Sequence, residues 1–242
     1  MSTLIELMPR IASEADPRAA SVELPSETQL DVSVSDRSSI AEDQIRRLVR
    51  QVFVHGGQRR ARQVVFSPAD EETEVADLCM MVGEALTMQD SGTICVVEAL
   101  PRGCTAGIRP IDRPPSRLQG SFGILRDASQ QLSSRLWFMP GEVLLDGCGP
   151  HWSGSWIRGR LAELRLDFDY SVVQGPAIGV HDEAGFLGSL CDGVVLVLRA
   201  NRTRRLVAQS VIEKLRVAKI RLLGVVLTER TFPVPGAVYC RL

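Results

Sequence analysis

Side chains capable of chemistry are unevenly distributed along this chain. The segment SPADEETEV, from Ser67, gathers Asp70, Glu71, Glu72 and Glu74 around Thr73. Carboxylates at that density either collect a cation or stabilise the positive end of a following helix. Lysine occurs only at Lys214 and Lys219, so lysine-dependent chemistry is excluded from the first 213 residues. Arg202, Arg204 and Arg205 follow an apolar run. They read either as a patch for phosphate or an acidic partner, or as a solvated helix start. The six cysteines, Cys79, Cys95, Cys104, Cys148, Cys191 and Cys240, lack the close pairing of a zinc ribbon or redox motif. Buried free thiols are the expectation. His55, His151 and His181 match no metal or triad spacing. Ser67 therefore has no partner pattern that would make it a nucleophile. Trp152 and Trp156, spaced i, i+4 beside Gly154, are expected to pack in the core, the other reading being an anchor on a partner. Met80, Met81 and Met88 read as core filler.

The elements that must position these residues can be read from apolar periodicity. Length of 242 residues suits one large domain, or a domain with a tail. Residues 1–37, polar and interrupted by Pro9, Pro17 and Pro25, read as a flexible arm. Residues 38–58 read as a docking or oligomerisation helix. Its start is the capping box Ser39–Glu42, its stripe Ile45, Leu48, Val49, Val52 and Phe53, its stop Gly56–Gly57. From residue 60 to 242 strands and helices alternate. QVVFS, TICVVEA, RLWFMPG, DYSVVQG, GVVLVLRA and RLLGVVL are the expected strands. Helices are expected over 71–89, around Ile157, Leu161 and Leu164, and over 203–218, with a long irregular segment from Pro101. Strands that are apolar throughout imply a mostly parallel sheet covered on both faces, an α/β fold of three α/β/α layers. Ligands of such sheets bind beyond the C-terminal strand ends.

The charge balance, 28 basic against 29 acidic residues, gives no bulk grip on nucleic acid. No apolar run reaches the roughly 18 residues of a membrane span, and MSTLIELMPR lacks the pattern of a signal peptide. A cytoplasmic protein is the expectation.

FDYSVVQGPAIG, LCDGVVLVLRANRTRR and RLLGVVLTERTFPVPGAVYCRL, with ICVVEALPRG and RLWFMPGE before them, resemble the bacterial tyrosine kinases (CpsD/CapB type) of capsule and exopolysaccharide synthesis. The likeness runs from about residue 40 to the C-terminus. That family belongs to the deviant-Walker P-loop ATPases related to MinD and ParA, so the resemblance implies a P-loop-NTPase-like fold over 60–242. It also implies ATP and Mg²⁺ as cofactors.

Position by position the resemblance breaks where nucleotide would be held. A Walker A loop needs G-x-x-x-x-G-K-[ST], its glycines turning amides toward phosphate and its lysine neutralising charge. The loop from Ser67 has neither glycine nor lysine, and Thr73 is its one matching hydroxyl. The family's Val-Asp-Ala-Asp-Leu-Arg motif is here Val97, Glu98, Ala99, Leu100, Pro101 and Arg102. The Walker B acid has become Gln174, and the adenine-reading asparagine has become Thr228. The family's Glu-x-x-Arg-x-x-Arg oligomerisation motif appears as Gln44, Arg47 and Arg50, readable also as a solvated basic face. The terminal tyrosine cluster is missing, since only Tyr170 and Tyr239 occur.

The expectation is a non-catalytic, pseudo-kinase relative that serves as scaffold or regulator of a polysaccharide chain-length and export complex. It would be recruited to the inner face of the membrane by a Wzz-like membrane polysaccharide copolymerase, as a homo- or hetero-oligomer, without nucleic acid. The alternative is an active ATP-dependent tyrosine kinase or ATPase with a rewired site. There Glu98, Asp182 and the loop acids would hold metal, and Arg102 or Arg202 would replace lysine. A third reading, a partition-type relative, lacks a basic amphipathic terminal helix.

Overall fold

A computed structural model describes residues 6–8, 34–54, 60–100, 125–146 and 152–229. Its centre is an eight-stranded sheet in the order β1-β8-β7-β2-β6-β3-β5-β4. The strands are β1 (Glu6–Met8), β2 (Gln63–Pro68), β3 (Ile94–Glu98), β4 (Gln130–Gln131), β5 (Leu136–Met139), β6 (Tyr170–Gln174), β7 (Gly193–Arg199) and β8 (Leu222–Thr228). The six from β8 to β5 are mutually parallel, and β1 and β4 close the two edges antiparallel. β2 is buried at all six positions, as expected of a strand covered on both faces.

Alternate residues of each strand feed two separate cores. Val64, Phe66, Val96, Val172 and Val195 pack beneath α1 (Val34–Val49), the π-helical turn Arg50–Val54 that continues it, and α2 (Ala76–Gln89). Val65, Cys95, Val97, Val173 and Leu196 pack on the opposite face. That face is covered by α3 (Leu125–Ala128), α4 (Gly141–Leu144), α5 (Gly154–Asp167), α6 (Asp182–Leu190) and α7 (Arg205–Val217). The three-layer α/β/α architecture and the mostly parallel sheet are as the sequence implied.

Several local expectations need correction. The first helix begins at Val34, five residues before Ser39, so Ser39–Glu42 is not its N-terminal cap. Its stripe is as expected: Ile45, Leu48, Val49, Val52 and Phe53 are all buried in the core above the sheet. Residues 6–8 of the expected arm form β1, with Leu7 opposite Val226. Edge pairing there covers backbone groups that β8 would otherwise leave open. α2 starts at Ala76 rather than 71, which leaves Asp70, Glu71, Glu72 and Glu74 ahead of its first turn. α6 had no counterpart in the periodicity, because Gly185 and Gly188 dilute it. Gly188 is there for contact: a Cβ would lie 2.5 Å from Val194 Cγ2. Met80 and Met81 pack on the core as expected, but Met88 is exposed. Trp152 packs against the core, whereas Trp156 is partly exposed, with Arg160 over its ring at 5.7 Å. Cys79 and Cys95 are buried free thiols, and burial pushes both far above the usual thiol range. Gly56, Gly57, Pro101, Arg102, Tyr239, His55, His151, Cys104, Cys148 and Cys240 lie outside the described residues.

Candidate functional site

All parallel strands end on one edge, and the chain switches direction around β2, whose neighbours are β6 and β7. In open parallel sheets that edge is where ligands sit. It carries Ser67 and the acidic loop after β2, Glu98 at the end of β3, Gln174 at the end of β6, Arg199 at the end of β7 and Thr228 at the end of β8.

The acidic loop is held by the protein's own groups. Thr73 is buried, and its hydroxyl donates to Asp70 Oδ1 at 2.6 Å. Asp70 Oδ2 accepts from the Thr203 hydroxyl at 2.9 Å, and the Thr203 hydroxyl in turn accepts from the Arg199 amide at 3.0 Å. The Arg199 guanidinium donates to the Glu72 carbonyl at 3.1 Å and to its carboxylate at 2.6 Å. Glu71 meets His181 Nε2 at 3.0 Å. Asp70, Glu71 and Glu72 are therefore engaged in side-chain contacts within the fold. They tie the loop to β7, to the β7–α7 turn and to the start of α6. Backbone contacts tighten the same place: the Ala69 amide donates to Val197 and the Gly179 amide to Ala69. Gly179 has to be glycine, since a Cβ would sit 2.4 Å from the Ala69 carbonyl oxygen.

Ser67, Thr228 and Glu98 are also engaged within the fold. Ser67 is buried with its hydroxyl donated to the Pro176 carbonyl, in keeping with no nucleophilic role. Thr228 is buried and donates to the Leu198 carbonyl at 3.3 Å, so its hydroxyl faces β7. Glu98 and Gln174 are register partners on adjacent strands, with Phe66 next to Gln174. Glu98 is half-buried and accepts from the Gly141 amide at 3.3 Å. Burial raises its carboxyl above the usual range, the Gly141 amide opposes this and Glu142 adds to it. Gln174 is buried with its Oε1 unpartnered. Among the described residues no group of three His, Cys, Asp or Glu could hold a metal ion.

These residues do not fit a nucleotide's phosphates. The loop after β2 offers four carboxylates and neither a glycine nor a lysine, and three of the acids already have partners within the fold. Arg202, Arg204 and Arg205 are exposed near this edge but make no part of the network. Gln44, Arg47 and Arg50 lie on α1 and the turn that continues it, away from this edge; Arg47 and Arg50 are exposed. Sequence reading missed Arg199, Thr203 and His181. The one signal was a charged residue ending the apolar run of β7.

The fold is that of a three-layer α/β protein with a mostly parallel sheet, similar to the fold of P-loop ATPases. It superposes on a ParA-family ATPase from Chlorobium tepidum with a TM-score of 0.52 at 10% identity, over 68% of this chain and 72% of that one. Its similarity to the kinase domain of the Escherichia coli tyrosine kinase ETK is greater, with a TM-score of 0.62 at 12% identity over 81% and 79% of the two chains. In sequence, 62 residues are 34% identical to the tyrosine-protein kinase CpsD of Streptococcus agalactiae. That segment is 26% of this chain and spans only 27% of that relative. The chain is thus similar to a bacterial tyrosine-protein kinase over that segment, and to tyrosine kinase domains in fold. No protein-family model matches it. Among the described residues no helix is long and apolar enough to cross a membrane.

Proposed function

We propose that this protein is a non-catalytic relative of the exopolysaccharide tyrosine kinases, keeping the fold as a docking body within a polysaccharide chain-length and export complex. One observation carries the reading: the edge that would cradle phosphate is filled by Asp70, Glu71 and Glu72 bonded to Thr203, His181 and Arg199. A phosphate chain brought there would meet like charge, and admitting it would break those bonds. The partner is a Wzz-like membrane copolymerase at the inner face of the cell membrane, and no nucleic acid is involved. Gln44, Arg47 and Arg50 form the contact face of α1, through which the protein joins its own copies or a related kinase. Arginine suits such a contact because its planar fork pairs with carboxylates.

The second reading, an active ATP-dependent kinase or ATPase, has one observation in its favour. Glu98 and the unpartnered Gln174 Oε1 leave a polar spot beside the loop. Thermal melting with and without millimolar Mg·ATP or Mg·ADP separates the two. A ligand at 100 times its Kd adds about 2.7 kcal/mol, or about 5–10 °C for a domain of this size. The docking reading expects no shift and no transfer of labelled phosphate to the protein. A shift accompanied by labelling that Glu98→Gln abolishes would establish the second reading.

A further inference from the structure

One concave surface among the described residues belongs neither to the strand ends nor to α1. It is a groove of about 780 Å³ between α6 and α7. Its floor is apolar, made by Ile178, Phe186, Leu215 and Ile220. Its walls are low because small residues, Gly185 and Ser189 on α6 and Ser210 on α7, stand along them. Leu206, Ser210 and Val217 follow at helical spacing along the adjoining face of α7, and Leu206 and Val217 are 78% and 73% exposed. Large apolar side chains that line an open groove in this way mark a contact surface.

We infer that the occupant is the protein's own segment 230–242, folded back across the top of α7 into this groove. The exit point is right. The Ala200 amide donates to the Thr228 carbonyl at 2.8 Å, so β8 ends beside the turn that starts α7. The reach is sufficient. Thirteen residues span at most about 45 Å when extended, and α7, with its 13 residues, is only about 20 Å long. The chemistry also matches. The rim carries Asp182 and Glu213 beside Lys214, so charge sets no preference there, and the match is the apolar one that Phe232, Val234, Val238, Tyr239 and Leu242 offer to the floor. Pro233 and Pro235 suit an extended course along a groove. Tethering supplies an effective concentration in the millimolar range, so a modest contact suffices to keep the segment docked.

The test is the alkylation rate of Cys240 in the full chain, read at the peptide level by mass spectrometry. Two variants accompany it. Gly185→Gln fills the groove without disturbing the helix, because a Cβ at 185 meets only Ile220 Cδ1, at an ordinary 3.7 Å. Val234→Asp with Val238→Asp strips the segment of apolar groups and leaves the described core untouched. In both variants, melting as the parent does, Cys240 is expected to react at least fivefold faster than in the parent. Hydrogen exchange in α6 and α7 is expected to speed up in the second. Equal Cys240 rates in all three proteins would overturn the inference. So would a parent rate that falls as protein concentration is raised a hundredfold, since the groove would then be taking a second copy.

Discussion

Glu98 and Asp192 are half-buried carboxylates whose surroundings pull them in opposite directions. Glu98 has one amide donor and is dominated by burial, which holds its carboxyl above the usual range. Asp192 is also raised by burial, but the amides of Gln63 and Arg62 and the Arg165 guanidinium outweigh this and bring it below that range. The signs of their contributions to stability follow. For Glu98, folded and unfolded states are equally protonated at low pH, and the fold is penalised as pH rises from about 4 through the raised folded value. Glu98→Gln should therefore match the parent near pH 3 and be the more stable protein at pH 7. For Asp192 the contribution is fully present above about pH 4 and is lost as pH falls through the lowered folded value. Asp192→Asn should cost about 2 kcal/mol at pH 7, the scale of hydrogen bonds to a charged group, and approach the parent at low pH. Urea denaturation of the three proteins at pH 7 and pH 3 checks both signs. Convergence of either variant at pH 7 instead of pH 3 would contradict the assigned environment.

At the scale of the element, α1 combines two roles on two faces. Leu48 and Val49 are fully buried against the sheet, while Arg47 and Arg50 point outward. Leu48→Ala should cost about 2–5 kcal/mol, a buried leucine leaving a cavity. Arg47→Ala should stay within about 0.5 kcal/mol yet weaken self-association in sedimentation velocity, should α1 be the contact face proposed for it. A loss of stability as large for Arg47→Ala as for Leu48→Ala would end the division of faces. The stripe on α1 was legible in the sequence because burial there repeats at helical spacing. The start of the helix was not, since Ser39–Glu42 is a local signal and the chain before it is already helical. The same distinction runs through the candidate site. The missing glycines and lysine are local and could be read directly. The partners of the loop acids could not, because Arg199 lies 127 residues from Glu72 and His181 lies 110 from Glu71. Only the parallel order β7-β2-β6 brings them to one edge. α6 was invisible for a related reason: Gly188, which lowers its helical signal, is required by the contact with β7.

Across the whole molecule, the edge network makes the question of nucleotide collective rather than a matter of one residue. Gln174→Asp puts a carboxylate at the position that the resemblance to the tyrosine kinases equates with Walker B, and if a single lost acid were the obstacle, it should restore binding. The architecture predicts otherwise. The loop after β2 is fixed by the Ala69 amide on Val197, by Gly179 packed on Ala69, and by Arg199 held on Glu72. None of these contacts involves the side chain at 174. Its new charge would stand in register with Glu98 on the neighbouring strand, inside a buried site. Two like charges about 5 Å apart repel by about 3 kcal/mol at an effective dielectric of 20. Gln174→Asp should therefore melt lower than the parent at pH 7, recover part of the difference as pH falls and the introduced carboxyl becomes neutral, and show no shift with millimolar Mg·ATP. A shift of about 5–10 °C would mean that the loop opens readily once a metal-binding acid is present. The carboxylate network would then be a weak latch over a retained site, and the docking reading would give way to that of a kinase awaiting one residue.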